Sequence, residues 1–137
     1  MTPGEAELAE RELELAEEAL RETSVLLEAR SLRGSLNRLY YGAFHAARAA
    51  LTVRGLYAKT HSGQIVLFGQ TYGEDPLLGR LLELRLAADY AREALRVTSE
   101  DIRGLLEETE TFVARCREIV REALREGPDE PDPPPDY

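Results

Sequence analysis

The apolar residues of this chain recur every three or four positions almost throughout, the spacing that gives a helix one apolar side. From Glu5 to about Ala29, Leu8, Leu15, Ala19 and Leu26 follow that spacing within a stretch rich in Leu, Ala and Glu, which predicts a first amphipathic helix. A second is expected from about Ser31 to Arg54, with Gly55 suited to end it. The loop GLYAKTHSG leads to a short helix near Gln64–Gln70, and TYGEDP breaks the pattern again. Pro76 is well placed to open the next helix, through Leu77, Leu81, Leu84 and Ala88 to about Asp89–Tyr90, with AREAL able to extend it. Thr98 followed by Asp101 forms a helix-start box, after which Ile102, Leu105, Leu106, Thr109, Phe112, Val113, Cys116, Ile119, Val120 and Ala123 keep the spacing of the clearest helix in the chain. No run of alternating β-branched residues competes. The expected fold is therefore all-α, an antiparallel up-and-down bundle of four long helices plus one short helix.

Composition narrows this picture. The 137 residues suit one domain with one core, expected over 1–126, followed by the acidic, proline-rich tail GPDEPDPPPDY over 127–137, which cannot bury apolar surface. Arg or Glu interrupts every apolar run well short of the ~20 residues a bilayer demands, so no membrane span is expected and a cytoplasmic location is. Cys116, the single cysteine, falls on an apolar helix side and reads as a buried small hydrophobe. A net charge of −9 argues against nonspecific coating of nucleic acid, yet the charge is segregated. Between Ala29 and Gly73 there is no Asp or Glu, while Arg30, Arg33, Arg38, Arg48, Arg54 and Lys59 give that stretch +6. A basic segment framed by acidic ones suggests one local anion site.

The second helix carries most of that segment. At ~100° per residue, Leu36, Tyr40, Ala43, Ala47 and Leu51 share one core-facing sector, and Arg38 and His45 lie opposite it. Seven residues apart, Arg38 and His45 point within about 20° of each other and ~10 Å apart along the axis, so two long side chains there can converge on one phosphate. Gly34, Tyr41, Gly42, Ala49 and Thr52 flank them, leaving small residues where another helix backbone can approach. Such a face suits a two-fold dimer contact with the site at its seam. An Arg and a His on an outer helix face are also commonly just solvated.

Three stretches carry a resemblance. SLNRLYYGAFHAARAAL, then GLYAKTHSGQIVLFGQ, is similar to the branch of HEPN proteins (higher eukaryote and prokaryote nucleotide-binding domains) typified by Asn-Arg-x-Tyr-Tyr-x-x-Phe-His-Ala-Ala-Arg and a downstream Lys-Thr-His-Ser-Gly. ELRLAADY resembles that branch's Arg-x-x-x-Asp-Tyr element. The resemblance covers residues 31–126 and implies a helical bundle that often dimerises, frequently beside a minimal nucleotidyltransferase acting as antitoxin. Many HEPN proteins are metal-independent ribonucleases using an Arg, four to six residues, then a His, a pattern that Arg38 and His45 match at its long end. Leu39 stands where active members often carry a polar residue. Ala47 stands where one variant has a tyrosine that the partner adenylylates, so that modification is not carried over.

The resemblance thus implies a toxin-like protein, with Arg38 and His45 as catalytic candidates. Asn37, Tyr41, Arg48, Lys59 and His61 are candidates for holding RNA or nucleotide. The alternative is a catalytically silent module that binds nucleotide or serves a partner nucleotidyltransferase as adaptor. On the nuclease reading, His45 moves a proton to or from the 2′-hydroxyl or the leaving 5′-oxygen, and Arg38 grips the scissile phosphate. Neither metal nor cofactor is expected, since the sequence offers no cluster of His, Asp and Glu with ligand spacing. His61 has three readings: a cap for the short helix beside Ser62, an anion ligand with Lys59, or a core residue of the loop. Arg85 and Asp89, four apart, form a candidate ion pair. Tyr40, Tyr41 and Tyr90 are candidates for stacking on a base, although Tyr40 lies on the core stripe.

Overall fold

The computed structural model describes residues 1–90 and 96–128, which form five helices and no strand. They are α1 (Pro3–Glu28), α2 (Leu32–Thr52), α3 (His61–Tyr72), α4 (Pro76–Tyr90) and α5 (Ser99–Glu126). The AREAL stretch and residues 129–137 of the tail lie outside the described residues.

Local chemistry sets the ends of these helices. Thr2 accepts from the Glu5 N–H at 3.1 Å while the Glu5 carboxylate accepts from the Thr2 N–H at 2.8 Å. Thr98 and Asp101 form the same reciprocal box at 3.1 and 2.9 Å, as their spacing predicts. Each box satisfies backbone donors that a helix start leaves open, and a good cap contributes about 1 kcal/mol. At the end of α1, Ser31 N–H donates to Leu26 C=O and Arg30 N–H to Leu27 C=O, a turn that forces Arg30 to φ 58°, where glycine is usual. α2 stops at Thr52 rather than Arg54, because the chain tightens through Arg54 N–H to Leu51 C=O into Gly55 at φ 68°. α3 starts at His61, earlier than periodicity suggests. The reason is Thr60, whose hydroxyl accepts from the Gly63 N–H at 2.9 Å and caps the helix.

Cross-helix contacts fix the directions. Gly42 lies against Ala16 and Leu20, and Gly34 against Leu26, so α1 and α2 are antiparallel. Arg33 donates to the Ala88 carbonyl and Arg85 covers the rings of Tyr40 and Tyr41, which makes α4 antiparallel to α2. Arg80 pairs with Glu108 and Arg115 with Asp75, so α5 reverses direction again. The up-and-down order expected from the period is the one observed. α3 lies alongside α2, tied by Gln64 Nε2 donating to Phe44 C=O at 2.9 Å and Tyr72 O–H donating to Ala50 C=O.

α2 sits in the middle of the bundle. Leu36, Tyr40, Ala43, Ala47 and Leu51 are buried as the wheel predicts, with Phe68, Leu81, Ile102, Val113 and Cys116 around them. On α1 the buried stripe is Ala9, Glu12, Ala16, Ala19, Thr23 and Leu27. It is displaced from the one read through Leu8 and Leu15: Leu8 is exposed and Leu15 half-buried. The close α1–α2 approach selects the small residues for the contact and leaves the larger leucines at its edges.

Candidate functional site

Burial on several sides leaves α2 one narrow sector partly open to solvent, and that sector holds Asn37, Arg38, Tyr41, Phe44, His45 and Arg48. His45 Nδ1 lies 2.6 Å from Glu12 Oε2, a carboxylate from α1 whose side chain is only 7% exposed. Arg48 Nε approaches the other Glu12 oxygen at 3.9 Å. A carboxylate on Nδ1 holds the neutral imidazole as the Nδ1–H tautomer, which leaves the Nε2 lone pair free as a base. Arg38 donates from Nε and Nη2 to Asn37 Oδ1, at 3.1 and 2.9 Å, and its Nη1 is 3.8 Å from Glu22. Its guanidinium stands 5.1 Å from the centre of the Tyr41 ring, and the His45 ring is 6.1 Å from the same centre. Arg38 and His45 therefore flank one tyrosine, with the Nε–Nη2 edge of the Arg38 guanidinium held by Asn37.

α3 and α4 complete the surroundings. His61, in the first turn of α3, stacks on Phe44 at 4.3 Å and its Nδ1 is 2.6 Å from the Tyr40 hydroxyl. Burial pushes the Tyr40 phenol up to about 12, outweighing the nearby Arg85 cation. Burial also holds His61 below its ordinary value, helped by Arg85, Arg48 and His45. Arg85, from α4, lies over both tyrosines, 5.3 Å from Tyr40 and 5.1 Å from Tyr41. Its Nε is 3.4 Å from Asp89 Oδ2, within ion-pair range but off hydrogen-bond geometry. Among the described residues, no three His, Cys, Asp or Glu side chains gather at a metal-binding spacing. None of the helices described is long and apolar enough to cross a membrane.

The family profile of the HEPN domain matches residues 9–123, from the buried stripe of α1 to the last turns of α5. This chain belongs to the HEPN domain family. Its relatives include a Methanocaldococcus jannaschii protein named "Putative toxin MJ0605", 34% identical over 121 residues that cover 82% of this chain and 88% of that one. The UPF0332 protein PH1297 of Pyrococcus horikoshii is 31% identical over 116 residues, covering 82% of each chain. The UPF0332 protein glr0978 of Gloeobacter violaceus is 31% identical over 128 residues, 88% of this chain and 98% of its own.

Within this HEPN bundle, Asn37, Arg38, Tyr41, His45, Arg48 and His61 come together on one side, around Tyr41 and Phe44. Lys59 does not join them: it is exposed in the loop before α3, beside Tyr57 and Gln70. Of the three readings of His61, capping falls to Thr60 and pairing with Lys59 is not observed. The ring is instead anchored in the aromatic cluster.

Two expectations are corrected. The small-residue face of α2 is not open for a second subunit, because α1 of the same chain fills it: a side chain at Gly42 would begin 3.0 Å from Leu20 Cδ2 and 3.6 Å from the Ala16 carbonyl oxygen. The acid-free stretch is also not acid-free in space, since Glu12 and Glu22 reach it from α1. Glu12, Arg85, Asp89 and Phe44 were not singled out as site residues from the sequence. The signal for Glu12 is readable only on the stripe that the structure buries, where it is the one charged residue among Ala9, Glu12, Ala16 and Ala19.

Proposed function

We propose that this HEPN chain is a toxin-like, metal-independent endoribonuclease in which Arg38 binds the scissile phosphate and His45 acts as base, restrained in its host by a minimal nucleotidyltransferase antitoxin. The observation that carries this reading is the Glu12–His45 pair at 2.6 Å, which orients the imidazole beside Arg38 and Arg48. A carboxylate behind Nδ1 fixes the ring in the tautomer whose Nε2 is the proton acceptor. His45 Nε2 then removes the 2′-hydroxyl proton and the 2′-oxygen attacks phosphorus. Arg38 counters the charge gathered on the phosphoryl oxygens. The products are a 2′,3′-cyclic phosphate and a 5′-hydroxyl. The name of the M. jannaschii relative supports the toxin part of the reading.

The test is cleavage of single-stranded RNA by purified protein in EDTA, with the new 3′ ends analysed for cyclic phosphate. His45→Ala is expected to lower the rate by on the order of a hundredfold or more. A wild type as inert as the variant returns the chain to the second reading, a silent adaptor that binds nucleotide or the partner enzyme. Two observations favour that second reading: Glu22 already neutralises part of Arg38, and Leu39, the neighbour that is often polar in active members, is wholly buried. Co-purification with the nucleotidyltransferase is expected under both readings, and dimerisation is checked by light scattering.

A further inference from the structure

His45 and His61 come from different helices and meet the same aromatic pair. Their ring centres are each 6.1 Å from Tyr41, and lie 5.7 and 4.3 Å from Phe44. Their hydrogen bonds give them opposite tautomers. Glu12 accepts from His45 Nδ1–H, so the other ring nitrogen of His45, Nε2, carries a lone pair. At His61 the partner is a phenol instead of a carboxylate, and a phenol raised to about 12 keeps its proton throughout the neutral range. Tyr40 O–H therefore donates to His61 Nδ1. A neutral imidazole carries one N–H, which must then be at Nε2. The site thus presents a proton acceptor and a proton donor, each set by the group behind it. His61 is flanked by Tyr40, Tyr41, His45 and Arg48 from α2 and by Arg85 from α4. Among the described residues its near surroundings hold cations and phenols; the Glu12 carboxylate is taken up by His45 and Arg48, and that of Asp89 lies against Arg85.

We infer that His61 donates the proton to the leaving 5′-oxygen, with Tyr40 behind it as the source, while His45 takes the proton from the 2′-hydroxyl. This rests on the nuclease reading and assigns the second half of its proton transfer. As the 2′-oxygen–phosphorus bond forms, its proton passes to His45 Nε2. As the phosphorus–5′-oxygen bond breaks, that oxygen takes the proton from His61 Nε2, and the Tyr40 proton moves onto Nδ1, so the imidazole stays neutral. Driving this relay is the difference in acidity: a phenol, even a buried one, is a stronger acid than the alkanol it protonates. The phenolate left behind lies under the Arg85 guanidinium, 5.3 Å from the ring centre. Solvent then carries the proton on His45 to His61 Nε2 while the proton on His61 Nδ1 returns to Tyr40, and the cycle closes with no net change in the protein.

The leaving group provides the test. Single-stranded RNA is prepared with an ordinary phosphodiester and with sulfur replacing the bridging 5′-oxygen, since a thiolate departs without protonation. His61→Gln is expected to lose on the order of a hundredfold on the oxygen substrate and only a few-fold on the sulfur one. Tyr40→Phe, which keeps the buried ring and removes only the hydroxyl, should show the same pattern with a smaller loss. His45→Ala should lose both substrates. Thermal melts by circular dichroism confirm that each variant is folded. Equal losses by His61→Gln on both substrates overturn the assignment while leaving the nuclease reading intact. An inert wild type on both substrates overturns the two together. Independently of activity, nitrogen-15 NMR of the imidazoles should find His61 as the Nε2–H tautomer and His45 as Nδ1–H. A His61 carrying its proton on Nδ1 removes the donor on which the inference stands.

Discussion

A buried carboxylate is costly unless it is paired, so Glu12 in the middle of an alanine stripe demands a partner. The structure supplies two, His45 and Arg48, from a helix more than thirty residues along the chain. Glu12 stands out of place only on the stripe that the structure buries, and the sequence does not tell what it meets. Meeting depends on the relative rotation and height of α1 and α2, which no local pattern encodes. His61 is the converse case, a residue noticed early whose role depended on which ring lay above it. Its environment gives a pH dependence of definite sign. Burial and the nearby cations lower its pKa in the folded chain, so below its ordinary value of 6.5 the unfolded chain binds more protons than the folded one. Stability from the neutral imidazole is thus complete above that value and declines as pH falls through it towards the folded pKa. Urea midpoints of the wild type are expected to fall more between pH 7.5 and 5.5 than those of His61→Gln, because the variant has no such proton to bind. Parallel pH profiles for the two proteins would show that His61 titrates alike in both states.

At the scale of helices, the elements were legible where a pattern is one-sided and long. α5 was read from Thr98 onward because its cap and its apolar spacing agree, and Ile102, Thr109, Phe112, Val113, Cys116 and Val120 are all buried. α2 was harder, because a helix buried on several sides has no simple polar face. Its small residues were read correctly as a seat for another backbone, yet that seat is filled by α1. Gly42 is where this can be measured. Alanine there gains up to about 1 kcal/mol of helix propensity, and its Cβ presses closest on the flexible end of Leu20, at 3.0 Å, with the Ala16 carbonyl oxygen in ordinary contact at 3.6 Å. Gly42→Ala is therefore expected to be near neutral or stabilising. Gly42→Val adds branches that must also clear the Ala16 carbonyl, 3.6 Å away, and overpacking of this kind costs about 1–3 kcal/mol. The valine variant should show that loss in urea denaturation, and a further loss of RNA cleavage as α1 moves and draws Glu12 from His45. A Gly42→Val protein as stable as the wild type would mean that α1 does not press on α2 at this height.

Across the whole molecule, charges segregated along the chain are brought into pairs in space. The net charge of −9 repels a polyanion at a distance, while Arg38, Arg48 and Arg85 provide a small cationic spot on one side. Each of the three already has a carboxylate within 4 Å, so RNA must displace a partner to engage them. For Arg38 that displacement is easy. Its pair with Glu22 is partly exposed, at 31% and 49% of the two side chains, and such pairs contribute little. With at most three phosphates contacted, the logarithm of affinity for single-stranded RNA should fall with the logarithm of salt at a slope of about −2. A protein that coats RNA through a long basic track would fall far more steeply. Glu22→Gln removes the competitor and one negative charge beside the spot, so binding should tighten several-fold in dilute buffer. The gain should shrink above about 0.15 M salt, where the Debye length is ~8 Å and distant acids no longer contribute. Fluorescence anisotropy with a short labelled RNA across a salt series measures both quantities. A slope of about −5 or steeper, or a Glu22→Gln protein that binds no better than the wild type at low salt, would place the RNA somewhere other than beside Arg38.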